Sequence, residues 1–128
     1  MSHFGKSMNW PIVIIVGVVL VAFLIWKQLS FVSAEVARKH LAAGALVIDV
    51  RSAEEFRSGH VSNAVNIPLG ELPAQLPHHV KSKSQVLLLY CLSGGRSGIA
   101  RQQIKGMGYP NVFNLGSYGR AESILTGK

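Results

Sequence analysis

The chain holds a single cysteine, Cys91, in the stretch Tyr90-Cys91-Leu92-Ser93-Gly94-Gly95-Arg96-Ser97-Gly98. An apolar run, Gln85–Tyr90, leads into it and reads as a strand. Ser97–Gly108 follows it and reads as a helix, with Ile99, Ile104 and Met107 near helical spacing. The adjacent Gly94 and Gly95 let the backbone take positive φ and turn its N–H groups inward. The start of the helix adds its positive end, Arg96 adds a full charge, and Arg101 adds another if it turns toward the loop. A thiolate held in such a cradle has a lowered pKa and a larger reactive fraction at neutral pH. The same cradle stabilises a persulfide anion. The bland alternative is that Cys91 is a small core residue at a strand end. That alternative accounts for neither the glycines, nor Arg96, nor the helix placed directly after them.

Other loop chemistries fail on spacing. No lysine follows these glycines as a nucleotide-binding G-x-x-x-x-G-K-[ST] loop demands. A dinucleotide fingerprint would need glycine at positions 93, 95 and 98, and position 93 is serine. Cysteine phosphatases and arsenate reductases come closer, with Cys on a strand and Arg at a helix start. Their pattern has five residues between the two; here there are four, Leu92 to Gly95. The smaller ring suits a sulfur atom better than a phosphate.

Outside the loop the signals are weaker. Asp49 and Arg51 stand at a strand end and read as a structural ion pair, Asp49 or Glu55 with Arg51, that supports the site. His60 follows Gly59 and reads as a partner of backbone groups. His78 and His79 have no third ligand near in sequence, so no metal site and no cofactor is expected. Ser93 and Ser97 are candidates for helix capping or anion contact. One cysteine excludes an internal disulfide. The formal net charge of +7, from 13 Lys and Arg against 6 Asp and Glu, suits an anionic membrane surface or a small anionic substrate. Nucleic acid is not expected, because no basic cluster is interleaved with stacking aromatics.

The elements that must position these residues alternate. Ser33–Gly44 reads as a capped helix, Ala45–Val50 as a strand ending at a carboxylate, and Ser52–His60 as a short helix with a Ser52/Glu55 capping box. Asn63–Pro68 reads as a strand and Leu69–Val80 as irregular or weakly helical, interrupted by Pro73 and Pro77. Gln85–Tyr90 is the most apolar strand and so the sheet centre. Asn111–Leu115 is the last strand, and Tyr118–Leu125 the last helix. This order predicts an α/β fold with a parallel sheet and helices on both faces. Its site lies beyond the carboxyl ends of the strands, where Asp49-Val50-Arg51 and Cys91–Arg96 both fall.

Residues 10–26, "WPIVIIVGVVLVAFLIW", are uncharged and closed at each end by Trp. A helix of that length spans about 25 Å, slightly short of a ~30 Å hydrocarbon core. The Trp residues suit the two interfaces, and Lys6 and Lys27 the headgroup layers. The rival reading is a cleaved signal peptide, with Val32-Ser33-Ala34 as the cleavage site. The apolar run exceeds a signal peptide's apolar region, and a cut there would remove the Ser33 cap. The expected layout is a tail over 1–9, a transmembrane helix over 10–26, a connector over 27–32 and a folded domain over 33–128. Lys27, Arg38 and Lys39 against Lys6 place that domain in the cytoplasm; the periplasmic side is the alternative.

Residues 33–128 resemble a single rhodanese-like domain, a thiosulfate sulfurtransferase module. "IDVRSAEEFRSGHVSNAVNIP" (Ile48–Pro68), "YCLSGGRS" (Tyr90–Ser97) and "GYPNVFNLGS" (Gly108–Ser117) carry the resemblance. The N-terminal segment resembles the anchors of membrane-tethered bacterial members, which implies a single pass of the inner (cell) membrane. The resemblance implies a three-layer fold with a central, mostly parallel sheet. It also implies a ping-pong transfer. Cys91 takes the outer sulfur of a small anionic donor such as thiosulfate and passes it to a thiol or cyanide acceptor. Backbone N–H groups of Leu92, Ser93, Gly94, Gly95 and Arg96 would hold the persulfide. A membrane-tethered binding module without turnover is the alternative, and the sequence names no protein partner. The chain departs from the family at Asn63, often glycine there, and after Leu115. Gly116-Ser117-Tyr118 stands where a second glycine and then a Trp are usual, which puts the packing of the last helix in question.

Overall fold

A computed structural model describes residues 7–127. The chain divides into two compact units, with the boundary along the sequence between Ser30 and Phe31. The first holds helix α1 (Trp10–Leu29). Its side chains from Trp10 to Trp26 are exposed on every side of the helix. Among the described residues, no helix is long and apolar enough to cross a membrane. The spanning role expected for residues 10–26 is therefore not shown. Lys6 and most of the tail assigned to 1–9 lie outside the described residues, as do Lys128 and the side chain of Lys27.

The second unit is a three-layer α/β/α domain. Its elements are α2 (Ala34–Ala42), β1 (Leu46–Asp49), α3 (Ala53–Ser58), β2 (Val65–Asn66), α4 (Leu72–His79), β3 (Leu87–Cys91), α5 (Gly95–Gly106), β4 (Val112–Ser117) and α6 (Tyr118–Thr126). The four strands are all parallel, in the order β2-β1-β3-β4. β3 is buried throughout, as a strand covered on both faces must be. Its side chains alternate between two cores. Leu87, Leu89 and Cys91 face a layer with Leu72, Leu76, Ala100 and Ile104 from α4 and α5. Leu88 and Tyr90 face Ala37, Ala121 and Ile124 from α2 and α6.

Local chemistry explains most boundaries. Ser33 caps α2 by accepting from the Val36 N–H at 3.3 Å. Ser52 and Glu55 form the expected reciprocal capping box on α3. Asn63 adopts φ 68°. This is a left-handed position, which Asn tolerates better than most other side chains.

Three expectations are sharpened or corrected. Residues 69–80, read as irregular or weakly helical, are helical: a 3-10 turn (Leu69–Glu71) runs into α4. Pro73 falls in the first turn of α4, where its missing N–H has no partner to lose. Pro77 costs one hydrogen bond, yet Leu72 and Leu76, four apart, are fully buried and hold the helix to the sheet. The strand expected over Asn63–Pro68 contracts to Val65–Asn66. Lastly, α5 begins at Gly95, two residues earlier than expected, so Arg96 and Ser97 lie inside its first turn.

Candidate functional site

β3 delivers Cys91 to the carboxyl edge of the sheet, between Asp49 at the end of β1 and Ser117 at the end of β4. Gly94 then turns with φ +98° and caps α5. That turn returns the Gly94 N–H to Cys91 Sγ at 2.9 Å. Gly95 has no positive φ and open space where a Cβ would stand. Of the two glycines, the left-handed turn uses only the first. Leu92 and Ser93 lie on the exposed side of the loop, while Cys91 itself is 1% exposed.

Ser97, one turn into α5, is fully buried. Its hydroxyl lies 3.4 Å from Cys91 Sγ, 3.2 Å from the Gly94 carbonyl and 2.7 Å from Asn114 Oδ1. A hydroxyl donates one proton, so three acceptors compete for it. Asn114 arrives from β4, where a register shift makes a bulge opposite Leu89 and Tyr90. Its Oδ1 also accepts from the Gly116 N–H at 2.9 Å, and its Nδ2 donates to the Gly94 carbonyl at 3.2 Å. Asn114 thus holds the Gly94 carbonyl and the Ser97 hydroxyl, on two residues whose donors reach the sulfur.

Burial pushes the Cys91 thiol up. The Ser97 hydroxyl and the N–H groups of Ser97, Gly94 and Ser93 favour the thiolate more strongly, and the net displacement is downward. The groups around the sulfur are thus the N–H groups of Ser93, Gly94 and Ser97 and the Ser97 hydroxyl.

The Arg96 side chain forms an ion pair outside the cysteine turn. Its Nη1 and Nη2 donate to Glu55 Oε1 and Oε2 at 2.7 and 3.0 Å. Its charge reaches Cys91 through the field rather than by a hydrogen bond. The guanidinium also holds the Glu55 carboxyl down to about 2, with the Ser52 cap adding to the effect against partial burial. Glu55 thus pairs with Arg96, and Asp49 with Arg51. Arg51 Nη2 meets Asp49 Oδ2 at 2.7 Å, and Nε lies 3.0 Å from both carboxylate oxygens. Nη2 also donates to the Gly59 carbonyl at 2.7 Å. The pair is buried beneath Tyr118, whose ring centroid is 4.6 Å from the guanidinium.

Arg101 turns away from the loop: its Nε donates to the Val112 carbonyl at 2.8 Å. His60 stacks on Phe56 and shares a 2.9 Å hydrogen bond with the Phe56 carbonyl. His78 and His79 are exposed at the end of α4. Neither Asn114 nor Tyr118 stands out in the sequence as a site residue. Asn114 lies inside the family-like segment Gly108–Ser117, and its distance of 17 residues from Ser97 hides the contact.

A doubly covered parallel sheet, with one buried cysteine at the tip of a central strand and a helix start beside its sulfur, defines an α/β protein with its candidate site at the carboxyl end of the sheet. The family model of the rhodanese-like domain matches residues 33–119, and the chain belongs to that family. It is 39% identical over 69 residues to the thiosulfate sulfurtransferase PspE of Escherichia coli, covering 54% of this chain and 66% of PspE, just under two thirds of that relative's length. It is 34% identical over 97 residues to the chloroplastic thiosulfate sulfurtransferase 16 of Arabidopsis thaliana, covering 67% of this chain and 80% of the relative. Among solved structures, a human single-domain sulfurtransferase, TSTD1, superposes with a TM-score of 0.60 at 31% identity, covering 72% of this chain and 94% of that one.

Proposed function

We propose that the chain is a sulfurtransferase that carries sulfane sulfur on Cys91. The carrying observation is the Gly94 N–H on Cys91 Sγ at 2.9 Å, in a loop that lowers the thiol's pKa. The names of two relatives make thiosulfate the leading donor. In the first half-reaction the Cys91 thiolate attacks the outer sulfur of thiosulfate. The S–S bond of the donor breaks, sulfite leaves with its electron pair, and Cys91 becomes a persulfide anion. In the second, an acceptor thiolate or cyanide attacks the outer sulfur and leaves as a persulfide or thiocyanate, which returns the Cys91 thiolate. No proton, oxidant or metal enters the balance. With one cysteine in the chain, no internal thiol resolves the persulfide, so the acceptor comes from outside. On this reading the N–H groups that favour the thiolate also favour the persulfide anion, which carries the same charge.

Incubation with thiosulfate followed by intact-mass measurement tests this reading. The expected result is a gain of one sulfur atom that cyanide removes and that Cys91→Ser abolishes. No gain with thiosulfate, or a gain that survives Cys91→Ser, would reject it. The near-complete burial of Cys91 favours a second reading, a binding module without turnover. That reading predicts no mass gain, and a Cys91→Ser chain that still performs in cells.

Location is a separate part of the proposal. We infer attachment to a bacterial cell membrane through α1, with the domain on the cytoplasmic side. The support is the apolar surface exposed all around Trp10–Trp26, which a helix outside a protein core keeps only against lipid or a partner. Resistance to carbonate extraction from membrane fractions is expected, and release by carbonate would reject it.

A further inference from the structure

Phe31 stands two residues past the end of α1, at the first position of the folded domain. It belongs to neither buried core, yet its place is fixed. The next residue, Val32, donates its N–H to the Asn114 carbonyl at 2.9 Å, covering the free edge of β4. The Val32 carbonyl accepts from Arg120 Nη2 at 2.7 Å. Arg120 Nη1 donates to the Leu115 carbonyl at 2.6 Å, and the guanidinium lies 5.5 Å from the Phe31 ring centroid. The ring is pressed against two glycines. A Cβ at Gly94 would meet Phe31 Cζ at 2.7 Å, and a Cβ at Gly116 would meet Cδ2 and Cε2 at 3.0 Å. Both glycines have positive φ, +98° and +93°.

We propose that Phe31 is a positioning residue for the cysteine loop. Its ring is the wall that keeps the Gly94 turn in its left-handed form, with the amide on Cys91 Sγ. Glycine has the widest conformational range of any residue, so a turn built on Gly94 holds one shape only where neighbours exclude the rest. Asn114 restrains the Gly94 carbonyl from inside the domain. Phe31 restrains the same residue from outside. The role of Gly116 follows: any larger residue there would displace the ring. Reactivity at Cys91 is thereby set partly by the segment that joins the domain to α1. The inference deepens the sulfur-transfer reading and rests on it for its purpose, but its test does not depend on turnover.

The test is the pH dependence of Cys91 alkylation by iodoacetamide, in the full chain, for wild type, Phe31→Ala and Phe31→Leu. In Phe31→Ala the midpoint moves up toward that of a free cysteine, and alkylation at neutral pH slows, about tenfold for each pH unit the midpoint rises. Phe31→Leu brings the midpoint part of the way back. A folded Phe31→Ala with the wild-type midpoint overturns the proposal. If Phe31→Ala does not fold, Phe31→Val carries the test, with a raised midpoint supporting the proposal and an unchanged one overturning it. Failure of the sulfur-transfer reading would show separately, as wild-type protein that gains no sulfur from thiosulfate while its alkylation profile stays measurable.

Discussion

The amide of Gly94 donates to the sulfur of Cys91 at 2.9 Å, so a left-handed turn at one residue bears on the charge of another three positions earlier. The two glycines of the loop are therefore unequal. Gly94→Ala places a Cβ 2.7 Å from Phe31 Cζ at φ +98°, and left-handed backbone alone costs a non-glycine residue about 1–2 kcal/mol. Lower thermal stability and a raised alkylation midpoint are expected. Gly95→Ala meets nothing within 4 Å and fills a helical position, where alanine is better than glycine by up to about 1 kcal/mol. Thermal melts of the two variants should separate in opposite directions from wild type. Equal destabilisation would contradict the inequality.

The Ser97 hydroxyl stands between the sulfur and Asn114. A hydrogen bond to a charged group is worth about 1.5–3 kcal/mol, which corresponds to about one to two pH units in the midpoint. Ser97→Ala should raise the pH midpoint of Cys91 alkylation by that order. Asn114→Ala should raise it less and also speed amide exchange around Gly94, since it frees the turn rather than the proton donor. Titration of the thiolate absorbance in the ultraviolet reads both midpoints; a Ser97→Ala midpoint equal to wild type would count against the cradle.

The Glu55–Arg96 pair predicts an acid dependence of definite sign. Glu55 is held down to about 2 in the folded chain, below its ordinary carboxylate value. Its contribution is therefore present above the ordinary value and is lost as pH falls toward 2. Both side chains are about one third exposed, so solvent screens the pair and the effect on stability is small. Glu55→Gln should flatten the stability-against-pH curve between about 4.5 and 2. A curve that keeps its slope there would assign the acid sensitivity to other carboxylates.

Asp49 and Arg51 form a buried pair whose described bonds include those to each other and to Gly59. Removing one partner of such a pair typically costs about 3–5 kcal/mol, because the other is left charged and dry. Asp49→Ala should destabilise the domain on that scale in denaturant titration. Under conditions where it remains folded, Cys91 alkylation should follow the wild-type pH profile. A changed profile in folded protein would instead give Asp49 a direct part in the site.

Much of the domain is legible in order along the chain. The helix and strand alternation, the Ser52/Glu55 box and the buried run into Cys91 are all local patterns. Such patterns are written by residues one to four positions apart, where turns, caps and side-chain periodicity act. The helix at 72–79 is left open between irregular and weakly helical because proline weighs against helix locally, whereas burial of Leu72 and Leu76 against the sheet decides it. The early start of α5 is hidden because a glycine pair does not say which glycine turns and which begins the helix.

The sequence by itself determined the chemistry available to this protein: one nucleophilic sulfur, at the tip of a central parallel strand, with a glycine turn and a helix start behind it. Only the tertiary structure decided how that sulfur is held. It placed Ser97 and Asn114 in one hydrogen-bonded group, gave Arg96 to Glu55 and Asp49 to Arg51, turned Arg101 away, and set Phe31 against Gly94. Those contacts join residues up to 88 positions apart, as between Val32 and Arg120. Which distant groups meet depends on strand order and helix packing, and no local pattern of residues encodes it.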